Sequence, residues 1–529
     1  MTLGRAPTHE DLYGSSRKLC EERLPKTSIY ALLAREGHRL FPDDSFADLF
    51  QKVGRPSIAP RVVAVVMVLQ RFEGLSDREA VDRFTFDMRW KYAAGGLDFD
   101  HPGFVHTVLV DMRERLRRSA RPNRIFEAVL EVAKEAGLVG RRRVLDSTAL
   151  YDAVATQDTV TLIRSAIRGV LRVAPAPLEA ELRGTLRRDD DYAAAGKPAC
   201  EWDDAAAREA LVDALARDGF ALLAVLDERK LEPDLEQAAT LLATVLGQDL
   251  EQRDDGVFRI ARRVAPDRVV STVDPETRHG HKTSARGFDG YKGHVAIDPD
   301  SEIITATTVT AGNAGDASAA EALLGDVLDA PRPEAPQPSD GASSEARAEV
   351  YGDASYGTAE LVEKLEAAGV EANVKVQPPS AREGHFAQDA FRVDTKSGTV
   401  TCPAGVLVVL RPRGDGTSHA DFGPSCATCP LRAQCTDSKS GRQINVHPKH
   451  DTLARARARQ RDPEWKRRYR AIRPRIERRL SHLMRRKHGG RRARVRGVVR
   501  VGHDFALLGA AHNLARLAVL MPAGAARQV

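Results

Sequence analysis

The sequence predicts an α/β protein built on one mixed sheet, with helices ahead of the sheet and two insertions within it. Three observations predict this class. Two short apolar runs, Val144-Leu145-Asp146 and Val350-Tyr351-Gly352-Asp353, each read as a strand delivering a carboxylate at its end. Tyr291 to Ile297 and Ile303 to Val309 read as paired strands around a tight turn at Asp298-Pro299-Asp300. Four of the six cysteines fall between 402 and 435, in a Gly-containing segment read as β-rich.

Size and composition set the frame. A chain of 529 residues exceeds one compact core, so two or more domains are expected. The longest apolar run, Val62 to Leu69, is far short of the ~20 residues that span a bilayer. Met1 to His9 lacks the apolar core of a signal peptide. The expected location is the cytoplasm, in association with the nucleoid, with no membrane partner. Six cysteines in so long a chain do not form a disulfide framework, and their clustering suggests a metal site.

Along the chain, Pro60 is placed to start a helix, Ser76 and Glu79 form an S-x-x-E capping box, and a third helical pattern covers Phe104 to Leu116. Residues 1–125 are therefore expected to be a helical N-terminal domain, whose Arg-bearing helices serve as DNA contacts or as scaffold. The strand at 142–148 follows. A charged helical stretch from Asp158 to about Gln248 reads as an insertion spanning about 155–262. After the paired strands come a helix from Asp316 to Leu328 and a Pro-, Ser-, Ala- and Glu-rich surface loop at 330–347. The strand ending at Asp353, a helix from Thr358 to Ala368 and a strand from Val370 to Val376 complete this part. Residues 380–448 form the cysteine-rich insertion. The chain closes with a basic helix around Glu477 and an apolar helix from Phe505 to Leu520. Without its insertions, this order of three antiparallel strands followed by parallel ones is that of a ribonuclease H-like core, here spanning 138–378 and 449–522.

Charge is distributed unevenly. From Trp465 to Arg500 there are sixteen Lys and Arg against one acid, Glu477, so this stretch carries +15 and the rest of the chain −9. Such a block is a polyanion-binding surface or a solvated basic tail. Arg475, Arg485, Arg486 and Lys487 are its candidate phosphate contacts. Phosphodiester chemistry needs an activated oxygen nucleophile, an in-line leaving group and charge neutralisation, which two Mg²⁺ ions ~4 Å apart supply together. Such ions are held by a few carboxylates. Asp146 and Asp353 sit at strand ends suited to this, although an Asp after a strand is also an ordinary turn or cap. Glu477 reads as a metal ligand amid phosphate-gripping cations, or as an i,i+4 partner of Arg473.

Taken together, Leu145-Asp146-Ser147-Thr148, Gly290-Tyr291-Lys292-Gly293-His294, Ala311-Gly312-Asn313-Ala314-Gly315-Asp316, Tyr351-Gly352-Asp353-Ala354-Ser355-Tyr356-Gly357 and Arg473-x3-Glu477 resemble the blocks of DDE transposases. More narrowly, they are similar to the IS-four/IS-five superfamily of bacterial insertion sequences, in the branch with a helical N-terminal domain and a cysteine-bearing insertion. The resemblance runs from about Phe41 to Leu520. It implies that Asp146, Asp353 and Glu477 are the catalytic acids, holding Mg²⁺ or Mn²⁺ as two ions. It also implies that Tyr469, Arg473 and Glu477 form most of a Tyr-Arg-Glu-Lys signature that meets DNA. The Tyr–Arg gap is three residues rather than two, Met484 stands at the usual Lys position with Arg485 beside it, and Pro474 would kink the helix or start a new one.

Cys402, Cys426, Cys429 and Cys435 supply enough thiolates for a closed structural Zn²⁺ site, with His419 or His447 as possible replacements for one ligand. Four free or buried thiols are the alternative. Lys292 and His294 are read as phosphate contacts or as structural residues. Asn313 and Asp316 are expected to cap the helix at Ala317.

The function expected from this reading is a metal-dependent transposase acting on double-stranded DNA. It would bind the terminal inverted repeats of its own element, cleave there, and join the freed 3′-hydroxyls to target DNA as a homodimer or higher oligomer. A non-catalytic, zinc-containing DNA-binding repressor derived from a transposase is one alternative, and a Mg²⁺-dependent nuclease of the same fold is another.

Overall fold

The computed structural model describes residues 1–3, 15–98, 100–152, 156–283, 286–329 and 348–521. The loop expected at 330–347 lies outside them. Six strands form the central sheet: β1 (Arg142–Tyr151), β2 (Arg278–Thr283), β3 (Arg286–Ile297), β4 (Ile304–Ala311), β5 (Glu349–Gly352) and β6 (Glu371–Val374). β3 runs antiparallel to β1 on one edge, and on its other edge pairs antiparallel with β2 and then β4. β5 lies parallel to β1, and β6 parallel to β5. Three antiparallel strands are thus followed by parallel ones. β2 is an added hairpin arm that the sequence reading did not assign.

Both faces of the sheet are covered, which is why β1 carries two consecutive apolar residues, Val144 and Leu145, instead of alternating. Val144 joins a large core with Val295, Ile297 and Tyr351, whereas Leu145 joins a smaller one with Ala296, Leu323 and Leu361. The helices Ala320–Leu328 and Ala359–Ala367 cover the smaller core. The larger is covered by the C-terminal helix, Val498–Leu520, which is apolar on nearly every side and correspondingly buried. Its buried Asn513 accepts from the Ile304 N–H and donates to the Ile304 carbonyl, both at 2.8 Å, so the helix satisfies backbone groups at the start of β4.

The N-terminal helices belong to this same large core. The helix Pro60–Glu73 is buried from Val62 through Arg71 and packs against the C-terminal helix. Ser76 caps the next helix, Asp77–Phe86, with both halves of the expected capping box formed. Replacing Ser76 with Ala is expected to cost about 1 kcal/mol, because the Glu79 N–H loses its side-chain acceptor. Urea denaturation of the purified variant measures this, and a stability equal to the parent's refutes the contribution.

The helical insertion has a core of its own. Helices Thr159–Val173, Ala176–Thr185, Ala205–Leu226 and Pro233–Asp249 close on Leu162, Ile167, Leu215 and Leu242. A two-stranded hairpin, Leu250–Gln252 with Phe258–Ile260, ends it. The cysteine-bearing segment consists of two small three-stranded sheets around Phe391, Val400, Phe422 and Ile444. Among the described residues, no helix is long and apolar enough to cross a membrane.

Candidate active site

The parallel pairing of β1 with β5 aligns Val144 with Tyr351 and stops there. Two residues on from this pair stand Asp146, within β1, and Asp353, the residue after the end of β5. Asp146 is therefore not at the end of its strand as the sequence reading had it. β1 continues to Tyr151 because β3 pairs with it as far as Gly290. Asp146 instead stands where the neighbour on its β5 side has ended, at the mouth of the cleft between two parallel strands.

Each aspartate uses one oxygen locally and turns the other to a common point. Asp146 Oδ1 accepts from the Ser147 N–H at 2.9 Å, and Asp353 Oδ1 from the Ser355 N–H at 3.0 Å. Their Oδ2 atoms lie 3.1 Å and 3.8 Å from one nitrogen, Nη2 of Arg473. Glu477 Oε1 lies 3.9 Å from Arg473 Nη1. One guanidinium thus touches acids from two strands and one helix. The turn reading of Asp353 and the i,i+4 reading of Glu477 both hold locally, and neither excludes the convergence.

Pro474 sets this geometry. It ends the helix Pro463–Ile472 and opens a second, Pro474–Leu483, in whose first turn Glu477 stands. Pro has no N–H to lose at a first helical position. Tyr469 consequently lies on the earlier helix and not on a face shared with Glu477. Its ring is buried, stacked on Trp465 with centroids 4.9 Å apart, and its hydroxyl donates to the Gly352 carbonyl at 3.1 Å. Tyr469 therefore fixes the helix to the strand end beside Asp353. Met484 is buried in the large core, so the usual Lys position is spent on packing.

Burial pushes the Asp146 carboxyl above its usual range, Arg473 and the Ser147 N–H oppose this, and Asp353 adds to it. Burial also opposes the charge on Arg473, but Asp146 and its neighbours outweigh it and hold the guanidinium more firmly protonated. Arg473 is only 7% exposed, and its Nε and Nη1 have no hydrogen-bond acceptor.

A polar network lies behind the acids. Asp316 accepts from the Ser147 hydroxyl at 2.6 Å and pairs with Lys292 at 2.9 Å. Asp316 therefore does not cap the following helix. Lys292, read as a phosphate contact, is engaged by Asp316 and by the Ala314 carbonyl. Asn313 donates instead to the Pro266 carbonyl and Asp267. His294 is fully buried between the Tyr356 hydroxyl at 3.0 Å and the Thr310 hydroxyl at 2.9 Å, and burial pulls its pKa down to about 4. It is structural. Gly357 lets the turn after Asp353 approach β6, since a Cβ there would sit 1.8 Å from the Lys375 carbonyl oxygen.

The basic block divides into residues used within the fold and residues left at the surface. Arg475 donates to the Pro299 carbonyl and Asp300, tying the helix to the β3–β4 turn. Arg485, Arg486 and Lys487 are exposed around a short helical turn. Arg494 and Arg500 from the same block line a cleft of about 680 Å³ with Arg71, Arg113 and Arg117 of the N-terminal helices, and with Asp504, Asp77 and Glu114, which pair with those three arginines in turn. The two regions read separately from the sequence as DNA contacts thus meet in one cleft.

Cys402, Cys426, Cys429 and Cys435 line one small cavity of about 20 Å³. Gly405, at φ 85°, closes the turn after Cys402 by donating to its carbonyl, and the Arg442 N–H donates to Cys426 Sγ at 3.4 Å. Burial raises the Cys435 thiol, Arg442 opposes this, and the other three thiols reinforce it. His419 and His447 do not line the cavity. Cys20 is buried and Cys200 partly buried, both outside the cluster. Among the described residues, no three His, Cys, Asp or Glu side chains form a ready metal-binding group. At the carboxylates, the guanidinium stands among the acids.

Residues 401–518 match the family model described as Transposase DDE domain, and residues 19–115 match the one described as Transposase domain (DUF772). The first stretch contains the four clustered cysteines, Arg473 and Glu477, but not Asp146 or Asp353. No curated protein and no solved structure matches the chain. Two transposase models on one chain support a DDE transposase acting on DNA, a class that generally uses divalent metal ions.

Proposed function

We propose that this chain is the transposase of a bacterial insertion sequence, cleaving the element's ends and joining them to target DNA on a ribonuclease H-like core. The observation that carries the proposal is the convergence of Asp146, Asp353 and Glu477 on one guanidinium, from two parallel strands and a helix. These hard oxygen donors suit Mg²⁺ or Mn²⁺, and the cation already among them is a stand-in of the same sign. Divalent ions, when bound, activate the attacking oxygen and neutralise charge on the scissile phosphate. Asp146 and Asp353 would hold them from the sheet and Glu477 from the helix. Ser147, through Asp316 and Lys292, fixes the backbone beside Asp146. The four cysteines suit a structural Zn²⁺ ion with no open coordination position.

DNA is assigned to the surface formed by Arg485, Arg486 and Lys487 and to the cleft between the N-terminal helices and residues 494–500. Each phosphate neutralised adds about −0.9 to the slope of log affinity against log salt. Replacing Arg485, Arg486 and Lys487 with Ala is expected to flatten that slope by about two to three. A slope unchanged in gel-shift titrations excludes these residues as phosphate contacts.

The decisive experiment mixes purified protein with the DNA flanking its gene, a target plasmid and Mg²⁺ or Mn²⁺. Joined products support the transposase. Nicking without joining identifies a nuclease, and shifted but uncut DNA identifies a repressor. Two ends must be brought together for joining, so the active complex is expected to contain at least two copies of the chain.

A further inference from the structure

We propose that Arg473 is a built-in counter-ion and positioning residue, holding Asp146, Asp353 and Glu477 together until a divalent cation replaces it and a DNA phosphate takes it up. The inference rests on the reading of these acids as metal ligands. Its own basis is geometric.

Three neighbouring carboxylates repel one another, and among the described residues Arg473 is the one cation paired within 4 Å with all three. It reaches them from the junction of two helices, where Pro474 restarts the chain and Tyr469 anchors the preceding turn to Gly352. Its charge stands between groups that a metal ion would join. Any cation entering must therefore work against a resident one.

The guanidinium is also under-used. It has five donors in a planar fork, yet Nε and Nη1 lack acceptors although the side chain is nearly buried. Buried donors without acceptors are costly. A phosphate offers two oxygens in the geometry that the fork matches. Each edge of the fork pairs Nη2 with either Nε or Nη1, so a phosphate bound there would satisfy one of the empty donors and take Nη2 from Asp146 and Asp353, releasing the acids to a metal. Metal binding and phosphate binding at this site are then positively and reciprocally coupled, since each removes an obstacle to the other. Without DNA the site favours the arrangement in which Arg473 partly neutralises the three acids, which disfavours metal loading before a substrate is present.

The test uses the full chain without DNA and Mn²⁺ as probe. Arg473→Gln is expected to bind Mn²⁺ at least about tenfold more tightly than the parent, within the usual range of coupling between sites. In EDTA the variant should melt at a lower temperature than the parent, and Mn²⁺ should restore it. Mn²⁺ affinity equal to or weaker than the parent's overturns the proposal. If that variant does not fold, the parent chain still decides. Phenylglyoxal labelling at Arg473, followed by mass spectrometry, should rise several-fold on adding Mn²⁺, and unchanged labelling overturns the proposal. Asp353→Asn separates this failure from that of the underlying reading. Should it leave Mn²⁺ affinity intact, the acids are not the metal ligands and both ideas fall. Should it weaken Mn²⁺ while Arg473→Gln changes nothing, only the counter-ion role falls.

Discussion

Replacing Asp353 with Asn is expected to remove strand cleavage and strand joining together, each by at least about a thousandfold. Metal assistance to phosphoryl chemistry is worth several kcal/mol, and each 1.36 kcal/mol is a factor of ten. The substitution takes away a negative ligand while keeping an oxygen that can still accept from the Ser355 N–H. The turn after β5 should therefore survive, and with it the packing of Tyr356 against His294. A variant that melts like the parent, still shifts DNA and yields neither nicked nor joined product meets the expectation. A variant retaining more than about a tenth of the activity refutes the assignment of Asp353 as a ligand. The same substitution at Asp146 should have an equal effect, because both aspartates face the same nitrogen of Arg473.

Replacing Cys426 and Cys429 together with Ser is expected to abolish an equivalent of about one zinc per chain and to unfold residues 380–448 locally. Structural zinc contributes apparent binding energies of about 10–16 kcal/mol in small domains. The segment has little else to hold it: its core is a short set of residues around Phe391, Val400 and Phe422, shared between two three-stranded sheets. Cys426 belongs to that core as well as to the cavity, so its loss is felt twice. Metal analysis of the parent and limited proteolysis of the variant are the measurements. A parent chain that is free of metal and still resists proteolysis in this segment would show that the thiols are plain core residues.

Much of the fold was legible because it is written in local patterns. The turn at Asp298-Pro299-Asp300, the capping box at Ser76, the helix start at Pro60 and the new helix at Pro474 depend only on neighbouring residues. The aspartates and cysteines were legible through spacing and motif order. Tyr469 and Lys292 read as DNA contacts because an aromatic or a cation in a motif looks functional, and the sequence does not show the partner each has within the fold. Their partners, Gly352 and Asp316, lie far away in the chain. No local signal marks Asp316 as the partner of Ser147, although both stood in quoted blocks. Residues 250–260 lie in the insertion beyond the helical pattern that ends near Gln248, and six of them form a short hairpin, too brief for periodicity to show.

By itself the sequence determined which residues could do the chemistry: two aspartates after apolar runs, one glutamate isolated among cations, and four clustered cysteines. Backbone preference, periodicity and charge act over a few residues, so these features survive without a structure. The tertiary fold alone decided that the three acids meet on Arg473. It also decided that the N-terminal helices share a core with the C-terminal one and that much of the basic block is spent inside the molecule. Those outcomes depend on strand register and on ion pairs between distant residues, where burial removes competing water and makes the choice of partner decisive.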